Sequence, residues 1–102
     1  MPAELRKIVF STQETIEALR KYCKAAGEDF PHGDGFDIAV VKGDQVKVEL
    51  KNAGGVVRSF NSREVAVGLM QLCKELDVPV PKRATKSVDV HDRRVALRLR
   101  IV

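Results

Sequence analysis

Two four-residue spacings constrain this chain more than any bulk property: Ser11-Thr12-Gln13-Glu14 and Asn61-Ser62-Arg63-Glu64. In each, a short polar side chain precedes a glutamate by three residues. The first side chain accepts from the N–H three positions on, and the glutamate reaches back to the first residue's own N–H. Two orphan donors of a helix start are satisfied together. After Ser11, the residues Ile16, Leu19, Cys23 and Ala26 form one apolar stripe with Glu17, Arg20, Lys21 and Lys24 off it, and Gly27 stands where a left-handed stop is needed. After Asn61 a second helix is expected to reach about Leu76, with Val65, Ala66, Leu69, Met70, Leu72, Cys73 and Leu76 as a wide apolar face suited to lie across a sheet.

Around these helices the apolar period is two, the period of a strand. Lys7 to Phe10 reads as a first strand. Phe36 to Glu49 reads as a hairpin turning at Gly43-Asp44, where the glycine is expected to supply positive φ. In it Val46, Val48 and Leu50 face one way and Lys47, Glu49 and Lys51 the other. Asn52-Ala53-Gly54-Gly55 is a second turn, and Val56 to Phe60 a third strand of the meander. Val78-Pro79-Val80-Pro81 forces extended backbone after the second helix. Lys82 to Ser87 reads as a polar linker, and Ser87 to Ile101 as a final hairpin turning at His91-Asp92. Its last arm alternates Val95, Leu97, Leu99 and Ile101 with Arg94, Arg98 and Arg100. The order is β-α-β-β-β-α-β-β. The expected fold is one α+β domain over residues 1–102, a two-layer sandwich with two helices on one face of an antiparallel sheet.

No apolar run is long enough for a transmembrane helix, and Met1-Pro2-Ala3-Glu4 lacks the basic-then-apolar pattern of a signal peptide. A cytoplasmic protein with no membrane partner is the expectation. Cys23 and Cys73 sit among apolar neighbours with no CxxC spacing and read as structural thiols.

The net charge of +4 is unevenly placed. Lys82 to Arg100 holds seven basic residues against two acids, whereas the rest of the chain holds eleven against twelve. The basicity is therefore local, and local basic surfaces govern partner choice. Arg83, Lys86, Arg94, Arg98 and Arg100 are the candidate binding residues, set beside Lys47, Lys51 and Arg58 if all share one sheet face. Guanidinium groups fork toward phosphate oxygens, so such a face suits a nucleic-acid backbone or an acidic protein surface. The competing explanation is that charges on an exposed edge strand only protect it from aggregation.

Other chemistries find little support in the residues. Phe60 is the one strand aromatic available for base stacking, and Phe10 and Phe36 read as core. The run from Ser11 to Leu76 has the element order of double-stranded-RNA-binding domains. Those open their second helix with a lysine-rich cluster, where this chain has a single arginine beside an acid, so only the order is shared. The loop Glu28 to Asp37 gathers Glu28, Asp29, Asp34, Asp37 and His32 without the spacing of a calcium or zinc site; its acidity would also suit the basic hairpin of a second copy. No nucleophile elbow, phosphate loop or zinc-hydrolase helix occurs, and no catalytic residue or cofactor is assigned. The sequence reads as a non-enzymatic binding module for an anionic partner. The runner-up is a homodimerising structural or regulatory domain that pairs through the strand edge of its C-terminal hairpin, and a small enzyme ranks third.

Overall fold

A computed structural model describes residues 4–101; Met1, Pro2 and Ala3, three of the four residues read for a leader, lie outside the described residues. Both helix-start spacings close as capping boxes. Ser11 Oγ accepts from the Glu14 N–H at 3.1 Å and Glu14 accepts from the Ser11 N–H at 2.8 Å, opening α1 (Thr12–Ala26). Asn61 Oδ1 and Glu64 repeat the pair at 2.9 Å each, opening α2 (Ser62–Glu75). Both helices end on a left-handed residue, Gly27 at φ 69° and Asp77 at φ 56°, with the next N–H bonding back to the carbonyl of Cys23 or Cys73.

The strands are β1 (Glu4–Val9), β2 (Asp37–Lys42), β3 (Val46–Asn52), β4 (Gly55–Phe60), β5 (Thr85–His91) and β6 (Arg94–Ile101), in the expected order β-α-β-β-β-α-β-β. They divide into two three-stranded antiparallel sheets, β1-β6-β5 and β2-β3-β4. Alternation assigns faces but not partners, and the pairing of β1 with β6 joins the two ends of the chain. The helices pack mainly on each other and touch both sheets, α2 against β3 and β5 and α1 against β2 and β6. A Cβ on Gly68 would lie 2.2 Å from the Ala18 carbonyl oxygen, so the two helix backbones are nearly in contact there. One contiguous core results, with Ile16, Leu19, Leu69 and Leu72 from the helices, Val48, Leu50 and Phe60 from one sheet, and Val95, Leu97 and Leu99 from the other.

Four local readings change. Gly43 does not take a positive φ. The last hairpin turns at Asp92-Arg93 (φ 49° and 66°), the left-handed pair that matches the twist of a two-residue hairpin. Thr85 and Lys86 belong to a strand and not to a linker, because they pair with Arg100 and Leu99. Leu76 and Ala26 lie outside the core, being exposed at the helix ends.

Candidate anion-binding face

Strand parity decides what the open face of β1-β6-β5 presents. The helices cover Ile8, Val88, Leu97 and Leu99, so the opposite side carries Arg94, Arg98 and Arg100 of β6. Lys7 of β1 stands directly across from Arg98, with Ser87 of β5 on its other side; Leu5 and Thr85 flank Arg100, and His91 faces Arg94. Among the described residues four cations thus share the face with one carboxylate, Asp89. That carboxylate is already committed, lying 3.5 Å from Lys7 Nζ and 3.5 Å from Lys42 Nζ and accepting from the Val90 N–H at 2.8 Å. The N–H bond first, and then the two ammonium groups, hold its pKa below the usual carboxylate range. Among the described residues no carboxylate lies within 4.0 Å of Arg94, Arg98 or Arg100.

β6 is the central strand, paired on both sides. Protection of an edge strand therefore does not account for its three arginines. The same pairing limits the strand-edge reading of the hairpin, in which only β5 keeps a free edge.

The other candidates divide. Arg83 is exposed in the turn closed by the Ala84 N–H on the Pro81 carbonyl at 3.1 Å. Lys86 has the opposite parity from the arginines, across from buried Leu99, and its ammonium donates to the Ala84 carbonyl at 3.1 Å. It lines a cleft between the sheets and not the open face. Arg58 is not beside Lys47 and Lys51. It stands opposite Leu50 on the helix side of its sheet, and a bulge between Leu50 and Lys51 turns Val56 away from that side. There Arg58 pairs with Glu28, lies 3.6 Å from Glu64 and stacks 4.6 Å from the centroid of Phe60. Phe60 is fully buried and offers no surface for a base.

Glu28 of the acidic loop is thus engaged within the chain. Among the described residues no group of three or more His, Cys, Asp or Glu side chains is placed to hold a metal ion. Cys23 and Cys73 are free and buried, and burial pushes both thiols up. No described helix is long and apolar enough to cross a membrane. The residue the sequence reading missed is Lys7; its signal was the alternation Leu5-Lys7-Val9, legible only once β1 is known to pair with β6. No family model, curated protein or solved structure matches this chain.

Proposed function

We propose that this chain is a non-enzymatic binding module whose open β1-β6-β5 face meets a polyanion, with the phosphate backbone of a nucleic acid as the partner the chemistry favours. The observation that carries this reading is that Arg94, Arg98 and Arg100, on a central strand, have no carboxylate within 4.0 Å among the described residues. Arginines there gain nothing from edge protection. Alternate residues of one strand place Arg98 and Arg100 about 7 Å apart, both forks facing the same way. Lys7 extends the row sideways. The face carries no Phe, Tyr or Trp, so contact is with phosphates and not with stacked bases, which predicts weak dependence on sequence.

The test is a salt titration of binding to single- and double-stranded oligonucleotides. With three to four phosphate contacts, affinity for duplex should fall roughly 40- to 150-fold between 50 and 200 mM salt. Absence of binding to either form at low salt sinks the nucleic-acid reading. Binding of an acidic polypeptide with no oligonucleotide binding assigns the face to an acidic protein surface.

A further inference from the structure

A cleft lies between the two sheets, apart from the arginines of the open face. It encloses about 550 Å³, within the range of small-molecule sites, and is walled by the β2–β3 turn, the first turns of α2 and the free edge of β5. Three cations reach it from three elements: Lys42 at the end of β2, Arg63 near the start of α2, and Lys86 of β5. Ser62 Oγ donates to the Val46 carbonyl at 2.7 Å, which fixes the start of α2 against β3 and so places Arg63 on the cleft wall. The capping box takes the Asn61 and Glu64 amides, and the charge that would attract a ligand comes from the side chains.

We propose that this cleft is a second, separate site, one that binds a phosphoryl group, with Asp89 as an internal counter-ion that the ligand replaces at Lys42. Among the described residues Arg63 has no carboxylate within 4.0 Å. Lys86 spends one donor on the Ala84 carbonyl and keeps two. Lys42 is held loosely, because its 3.5 Å separation from Asp89 is longer than a charge-assisted hydrogen bond of about 2.8 Å. A phosphoryl group carries up to about two negative charges and three acceptor oxygens, so it suits a cleft with cations on three walls and outcompetes Asp89 at Lys42; the other lining carboxylate, Asp44, stands on the β2–β3 turn. Two sources share this chemistry: a free phosphorylated small molecule, and the terminal phosphate of an oligonucleotide lying on the neighbouring face.

Pyrophosphate titrated into the full chain, followed by amide NMR shifts, tests the site without reference to the open face. The expected result is movement of Ser62, Arg63, Lys86 and Ser87. Arg63→Ala should weaken binding about tenfold, the loss of one charge-assisted contact. Asp89→Asn should tighten it about threefold, the release of one partly exposed pair. Arg98→Ala with Arg100→Ala should leave pyrophosphate binding unchanged while abolishing oligonucleotide binding, so the two readings fail separately. Shifts confined to Arg94–Arg100, or an Arg63→Ala variant that binds as the parent does, overturn the proposal whatever becomes of Asp89→Asn. If an oligonucleotide with a 5′-phosphate gains affinity over its 5′-hydroxyl twin only when Arg63 is present, the ligand is a nucleic-acid end. If pyrophosphate binds and the two oligonucleotides are equal, the ligand is a free phosphorylated molecule.

Discussion

The two sheets of this molecule are built alike and charged differently. Each is a three-stranded antiparallel sheet with its apolar side against the same pair of helices. On the wet side of β2-β3-β4, Lys47 and Lys51 share the surface with Glu49 and Asp37, and Lys47 lies 4.0 Å from Glu49. The arginine of that sheet, Arg58, is on the helix side, where two glutamates and the Phe60 ring hold it. On β1-β6-β5 the three arginines of β6 are on the wet side and pair with nothing among the described residues, whereas Arg6 of β1, across from Leu99, lies 3.6 Å from Glu4. An arginine between carboxylates serves the fold, and one without them is available to a ligand. Residue type and net charge do not distinguish the two; strand parity and neighbours do.

The strongest way to break the comparison is to remove what the sheets share. Gly68→Val puts a branched side chain where even a Cβ lies 2.2 Å from the Ala18 carbonyl oxygen, and a backbone atom cannot rotate away. A loss of about 3 kcal/mol or more is expected. If the helix pair is the common support, hydrogen exchange will show both sheets losing protection together. Loss in one sheet alone would mean that the sheets fold as separate units.

The next largest effect separates function from fold. Arg98→Glu with Arg100→Glu should remove oligonucleotide binding, more than a hundredfold at low salt, with a melting temperature close to the parent's. Lys47→Glu with Lys51→Glu, the same charge change on the other sheet, should lower affinity only through the long-range field, by about threefold. Equal losses from the two pairs would show that net charge and not the face governs binding. Arg58→Ala gives the converse: a stability loss of about 2 kcal/mol in denaturant titration, from two broken ion pairs and a lost cation–π contact, with binding unchanged.

What the sequence showed of this arrangement follows from how local each signal is. The capping boxes and Gly27 are satisfied within one turn of chain, so they were read correctly from adjacent residues. The alternation that put Arg94, Arg98 and Arg100 on one side of a strand is equally local. Three things depended on contacts distant in sequence. That β6 is central depends on β1, about ninety residues away, pairing along its far side. Lys7 joined the face for the same reason. Arg58 is off the open face because it stands across from Leu50, in step with buried Phe60; the one-residue bulge turns only Val56 away, and an inserted residue has no signature in an apolar run such as Val56-Val57. Gly68, which the apolar period does not mark, is the place where the two helices meet. Each miss is a matter of which strand or helix lies alongside, which periodicity does not encode.

Acid titration sharpens the comparison further, since Asp89 is the one carboxylate on the basic face among the described residues. Its folded pKa is held below the unfolded value, by the Val90 N–H first and then by Lys42 and Lys7. A group shifted in that direction contributes stability above its unfolded pKa of about 3.9 and loses it as the pH falls through the lower folded value. The parent should therefore lose more stability on acidification than Asp89→Asn, as read by unfolding midpoints at successive pH values. A variant with the parent's pH dependence would show that Asp89 does not couple the two sheets.

The smallest expected change concerns backbone conformation and touches neither face. Asp77, Asp92 and Arg93 hold positive φ at 56°, 49° and 66°, a region in which a Cβ is strained and glycine is not. Asp77 ends α2 as Gly27 ends α1, so the chain contains both versions of one helix stop. Asp77→Gly should raise stability by about 0.5 kcal/mol, the relief of strain exceeding the added freedom of the unfolded chain. Arg93→Gly should act in the same direction at the hairpin turn, and because Arg93 lies beyond β6 it should leave the salt dependence of oligonucleotide binding as it is. A shallower slope for Arg93→Gly would instead place the turn within the phosphate contact and extend the basic face to the end of the hairpin.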